Sequence, residues 1–212
     1  SSNYQSGCLS FEFLYMNRKI ICNSGYFQKY NHQLNRISKS SANHSTLIID
    51  NRSSAKFKKN LSGISIVDKG VKILKKNFIL EKNYWNLNGS HDGYLKEYGI
   101  IHERQVEFFP DKFKLIGNDK LIKKRNFKSS NFEIRFHLLP NIKITKTQDN
   151  KSILIELDNS GWKFFCKNHE IHIETGLYFG KKNSFAENQN IFISGITQKE
   201  DQIVKWEIEK IK

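Results

Sequence analysis

Three small groups of polar residues interrupt otherwise apolar, alternating stretches, and chemistry would have to reside there. The first centres on His44, at the junction between the loop Lys39-Ser40-Ser41-Ala42-Asn43 and the apolar run that begins at Thr46. An imidazole in that position can ligate a metal or move a proton near neutral pH, and it can equally be a hydrogen-bonded structural residue. Its company matters: Asn23 ends one apolar run just before Gly25 and Gln5 precedes another, so all three can meet at one edge of a sheet. The second group is Gly89-Ser90-His91-Asp92-Gly93-Tyr94. Neighbouring residues of an extended strand point to opposite faces, so His91 and Asp92 cannot both serve one site there, and a turn closed by the Asp92 carboxylate is the competing reading. In the third, Arg135-Phe136-His137, alternation puts Arg135 and His137 on one face, suited to a sugar or another domain.

Other chemistries lack their signatures. The sequence has no glycine-rich phosphate loop, no nucleophile elbow and no Cys or His cluster at zinc spacing. Cys8, Cys22 and Cys166 give neither the even count of a disulfide framework nor a paired spacing, and two of them sit in apolar runs typical of buried, inert thiols. Lys123-Lys124-Arg125 reads as a solvated turn, because it lacks the interleaved aromatics of a base-stacking surface.

The elements that must position these residues have the period of strands. Leu9 to Tyr15 alternates, and after a turn at Asn17-Arg18 the run Lys19 to Asn23 completes a hairpin. Tyr26 to Ala42 is polar and irregular, which predicts a long surface loop of the kind that carries function on a rigid sheet. Further strands are predicted over 45–50, 75–81, 84–87, 101–109, 113–116, 132–138, 152–157, 162–166, 170–174, 190–194 and 204–208. Short strands separated by Asn, Asp, Gly and Lys turns indicate an all-β, antiparallel sandwich with no substantial helix. No linker or repeat divides the 212 residues, so a single domain over 1–212 is expected.

Lys and Arg outnumber Asp and Glu by 35 to 21, a formal charge of +14 that favours polyanions as a class. No apolar run approaches the roughly 20 residues of a membrane-spanning helix, so membrane insertion is not expected. The opening Ser1-Ser2-Asn3 is read as a cut inside a longer protein, with any targeting signal upstream.

Several segments, in this order, resemble the C-terminal region of heparinase II/III-like proteins, particularly their alphaproteobacterial branch. Ser6-Gly7-Cys8-Leu9-Ser10-Phe11-Glu12-Phe13 is similar to a His-Ala-Gly-Cys-Leu-Ser-Phe-Glu segment of the family, and Ile21-Cys22-Asn23-Ser24-Gly25 to its Val-Asn-Cys-Gly strand end. Lys39 to Leu47 is similar to Arg-Ser-Thr-Ala-Ala-His-Ser-Thr-Leu. Ser90-His91-Asp92-Gly93-Tyr94, Tyr98 to Arg104, Arg135 to Pro140, Gly161-Trp162-Lys163-Phe164 and Ile193-Ser194-Gly195 continue the series.

The resemblance implies a supersandwich-like β half of a lyase whose other half, a helical toroid, lies upstream as its partner. It implies β-elimination on uronate-containing anionic polysaccharide in the cell envelope or periplasm, with Asn3, Arg36, Lys39, His44, His91, Tyr94, Arg135 and His137 as the substrate-binding set. Nucleic acid is not the expected partner. Zinc-bound members carry His-x-His before the first strand, an Asp at the strand end and a later His. Here the corresponding residues are Asn3, Gln5, Asn23 and His44, a degenerate metal site expected to hold zinc weakly or not at all, so no cofactor is expected. Asn3, at a catalytic-His position, can donate to a carboxylate but cannot act as acid or base. The chain is therefore expected to be inactive by itself, with a non-catalytic glycan-binding or envelope-scaffold role as the alternative.

Overall fold

In the computed structural model, which describes residues 3–212, strand accounts for 53% of the chain and helix for 8%. The all-β, antiparallel sandwich class expected from the alternating pattern is the class found. Among the described residues the longer of two α-helices is Gln33–Ser38, and no helix is long and apolar enough to cross a membrane.

The chain folds into two compact units. The first comprises Ser1–Val71, Phe132–Asn141 and Ile173–Phe192; the second comprises Lys72–Asn131, Ile142–His172 and Ile193–Lys212. Because the chain passes repeatedly from one unit to the other, no stretch of sequence marks a boundary.

The first unit holds most of a four-stranded sheet whose spatial order is Ile171–Tyr178, Ala186–Ile196, Asn131–His137 and Leu47–Ile49. Its core is apolar and almost sealed: Ile20, Ile21, Ile48, Ile49, Phe132, Ile134 and Phe136 are each at most 2% exposed. Leu47–Ile49 is buried on both faces, so its three consecutive apolar residues all find partners. Phe13–Tyr15 and Arg18–Ile21 form the predicted hairpin. Its two-residue turn is Met16-Asn17, both at positive φ, the geometry that suits the twist of paired strands.

The second unit is an eight-stranded antiparallel sheet in the order Lys143–Lys146, Ser152–Leu157, Ser160–Cys166, Gln202–Lys210, Lys114–Lys123, Ile100–Phe109, Tyr84–His91 and Ile73–Glu81. Trp162, Phe164, Trp206 and Ile208 are fully buried in it, and the Phe164 and Trp206 rings stack at 6.2 Å.

Two local expectations need correction. The stretch from Tyr26 to Ala42 is not irregular throughout, since Gln33–Ser38 is helical and buries Leu34, Asn35 and Ser38. Three strands were not legible: Lys56–Lys59, Ser65–Lys69 and Lys143–Lys146. Lys56–Lys59 reads Lys-Phe-Lys-Lys and Lys143–Lys146 reads Lys-Ile-Thr-Lys, so each offers a single large apolar side chain and no alternation to detect.

Candidate functional site

In the first unit, the end of strand Arg18–Ile21 is knotted to the segment around His44 by a set of short bonds. Ser45 donates its backbone N–H to Asn23 Oδ1 at 3.0 Å and its hydroxyl to the Cys22 carbonyl at 2.7 Å. Ser24 donates its N–H to the Asn43 carbonyl at 3.0 Å. Gly25 follows at φ +80°, and a Cβ there would fall 2.7 Å from the Phe179 carbonyl oxygen, so the turn admits only glycine. Phe179 returns the contact by donating its N–H to the Ser24 carbonyl.

Beyond Gly25 the side chains divide between core and surface. Phe27 turns inward, 5% exposed, into a small cluster with Leu34 and Phe179, its ring 5.9 Å from that of Phe179. Tyr26 is half-buried, and Gln28 and Tyr30 are exposed. Helix Gln33–Ser38 fixes this segment: Asn35 Nδ2 donates to the Phe27 carbonyl at 2.6 Å and to the Tyr26 hydroxyl at 3.0 Å, and Ser38 Oγ accepts the Phe27 N–H at 3.1 Å.

An open cleft of about 440 Å³ is lined by Asn3, Gln5, Tyr26, Gln28, Tyr30, Lys182 and Asn183. Tyr30 donates its hydroxyl proton to Asn3 Oδ1 at 3.0 Å. Among the described residues no histidine and no carboxylate lines this cleft. Its donors are carboxamides, phenols and one ammonium group, a set that binds carboxylate, sulfate and sugar hydroxyls.

Lys39 is buried in the same unit. Its Nζ donates to the Ser65 carbonyl at 2.8 Å and lies 5.9 and 5.8 Å from the Tyr26 and Tyr30 ring centroids. Burial lowers its pKa. It therefore supports the aromatic wall from within instead of meeting solvent. Arg36 is exposed on the helix.

His44 is 5% exposed, and its ring packs so closely on Gly7 that a Cβ there would fall 2.7 Å from Nδ1. Its Nε2 has no hydrogen-bond partner, and burial pushes its pKa down to about 4. His137 is equally enclosed, with Nδ1 2.8 Å from Ser24 Oγ and 2.9 Å from Asn190 Oδ1. Burial, with nearby Arg135, pushes its pKa down to about 3. Arg135 pairs with Glu133 at 2.6 Å and with Glu174, and its guanidinium lies 5.5 Å from the Phe192 ring centroid.

Of the residues singled out in sequence, Asn3 and Gln5 thus share the cleft, whereas Asn23 belongs to the knot and His44 is buried against Gly7. The zinc implied by the resemblance does not fit this donor set. One imidazole and three carboxamides are available, and the oxygen of Asn23 is already engaged by Ser45. Among the described residues no group of three His, Cys, Asp or Glu side chains could hold a metal ion.

His91 and Tyr94 belong to the second unit, where both are 1% exposed. Asp92 closes a turn, its Oδ1 accepting the Lys72 N–H at 2.8 Å. His91 Nδ1 accepts the Gly93 N–H, which leaves its Nε2 to donate to His102 Nδ1 at 3.3 Å. His102 Nε2 then donates to Asp119 Oδ1 at 2.6 Å. Arg104 donates to both oxygens of Asp119, and Trp206 Nε1 donates to Oδ2 at 2.8 Å. This network is sealed from solvent and holds strands in register. Its sequence signal was legible in Ile100–Phe109, where His102 and Arg104 fall on the buried alternation shared with Ile100 and Val106.

Tyr26, Gln28 and Tyr30 belong to the loop that the sequence marked as carrying function, although none of them stood out singly, and the lining missed altogether is Lys182 and Asn183. Lys182 and Asn183 come from a turn more than a hundred residues later, with no pattern linking them to it.

Residues 1–207 match the family model described as "Heparinase II/III-like, C-terminal". Among curated proteins nothing matches. Among solved structures, the heparan sulfate lyase HepC from Pedobacter heparinus superposes with a TM-score of 0.79 at 14% identity, over 98% of this chain and 31% of that one. A heparinase III superposes with a TM-score of 0.75 at 16% identity, over 98% of this chain and 30% of that one. The chain thus spans under a third of the length of these enzymes.

Proposed function

The chain belongs to the heparinase II/III-like family, matching its C-terminal region, and from that membership we propose that it is the glycan-binding β part of a polysaccharide lyase acting on uronate-containing anionic polysaccharides. In β-elimination a base removes the C5 proton, the uronate carboxylate is neutralised by donors, and the glycosidic oxygen leaves from C4 with a proton. Asn3, Gln5 and Lys182 supply donors for that carboxylate. None of the carboxamides relays a proton, and Tyr30 donates to one of them, so its phenol has no base beside it. Proton transfer then falls to a helical partner region of the same protein, acting in the cell envelope or periplasm.

The observation that carries this reading is the open cleft itself, with Asn3 bound by Tyr30 between an aromatic wall and Lys182. Calorimetry with heparin, heparan sulfate and alginate is expected to show binding by the 212-residue chain. The ultraviolet band of unsaturated uronates is expected not to appear. Affinity no greater than that for DNA of matched charge would end the proposal, and product released by this chain alone would end the division of labour.

A second reading, a non-catalytic glycan-binding or envelope-scaffold protein, is favoured by the carboxamides at residues 3 and 5. Lyase activity in the complete protein that contains this chain would exclude it.

A further inference from the structure

The turn that brings Lys182 and Asn183 to the cleft has a second side. After Phe179, buried in the Phe27 cluster, the residues Gly180 to Phe185 reverse the chain between strands Ile171–Tyr178 and Ala186–Ile196. Ser184 donates its N–H to the Lys181 carbonyl, and Asn183 adopts φ +54°, so this is a tight turn with Lys182 and Asn183 at its centre. Lys181, Ser184 and Phe185 face another depression, about 380 Å³, completed by Pro140 and Tyr178. That volume is in the range of sites that hold small ligands.

This depression differs in chemistry from the cleft. Its walls are two aromatic rings and a proline, and Phe185 is 53% exposed without serving the core. An open aromatic face of this kind suits the C–H side of a pyranose ring. Among the described residues neither Lys181 nor Lys182 is held by an ion pair, so each keeps its charge available on its own side of the turn. Glu12, whose charge is felt at Tyr178, is neutralised by Lys19 at 2.7 Å.

We propose that the Tyr178–Phe185 depression is a second sugar subsite for the same acidic polysaccharide, separated from the Tyr26–Tyr30 cleft by the turn, with Lys182 gripping an anionic group of a sugar in the cleft and Lys181 one several sugars further along the polymer. The inference rests on the glycan-binding reading above. It adds that binding is by an extended polymer, because a short one fills only the cleft.

Size-defined heparin oligosaccharides titrated into the 212-residue chain by calorimetry test it. Lys181→Gln and Phe185→Ala are each expected to weaken an octasaccharide roughly fivefold to tenfold while leaving a tetrasaccharide unchanged. Tyr30→Ala is expected to weaken both, and Lys96→Gln, an exposed charge in the other unit, neither. The subsite is refuted if Tyr30→Ala acts and the turn variants do not, if their loss is the same at both lengths, or if Lys96→Gln matches Lys181→Gln. Failure of the unaltered chain to bind either oligosaccharide refutes the cleft reading and this inference with it.

Discussion

Asn23, which the sequence offered as a position of a degenerate metal site, places its carboxamide oxygen as a structural acceptor for the Ser45 N–H. Removing it leaves a part-buried donor unmade, so Asn23→Ala is expected to cost about 1–2 kcal/mol. Urea unfolding should show a lowered midpoint at constant slope, and an unchanged midpoint would remove Asn23 from the knot. The same chemistry predicts that dialysed protein retains no stoichiometric zinc, and a tightly held equivalent in elemental analysis would overturn it. His44, Asn23 and Gln5 stood out in the sequence because polar residues broke an apolar pattern at strand ends. The burial of Lys39 and His137 was not, because their partners are remote: Ser65 is 26 residues from Lys39, and Ser24 is 113 from His137. A basic residue in a polar loop reads as solvent-facing until the chain folds over it.

At the level of elements, period-two alternation located most strands, including Ser152–Leu157 to the residue. It failed where lysine dominates and where a loop winds into the short helix Gln33–Ser38, which depends on Phe27 and Phe179 for its buried face. The same alternation exposes an acid-sensitive element, since His91 and His102 lie on inward positions of adjacent strands. Burial lowers both pKa values, that of His91 to about 3. A buried neutral histidine titrates near 6.5 when unfolded, so the unfolded chain takes up protons first. Its contribution is complete above about pH 6.5 and is lost as pH falls toward the folded value. His44 and His137 act in the same direction. Asp119, whose carboxyl is held low chiefly by Arg104 and His102 against the effect of its burial, adds a further loss below its unfolded value. Thermal unfolding is therefore expected to drop steadily below pH 6.5. In His91→Gln the free-energy slope should flatten by about 1.4 kcal/mol per pH unit. Parallel profiles for the two proteins would mean that His91 is not held neutral.

For the whole molecule, the charge of +14 and the cleft make separable predictions. Lysines scattered over the surface attract any polyanion, with an affinity that falls steeply with salt and does not distinguish heparin from DNA. If the proposed glycan site is real, direct donors and ring faces in the cleft add a contribution that salt screens far less, and DNA offers no pyranose to use it. Heparin binding is therefore expected to retain a salt-resistant remainder when affinities are measured from low to high ionic strength, whereas DNA binding falls toward nothing. Tyr26→Ala with Tyr30→Ala should erase that remainder while leaving the salt-dependent slope, because the substitutions remove no charge. Superimposed heparin and DNA curves in the unaltered chain would reduce its affinity to charge, and the shared fold would then carry no glycan site in this protein.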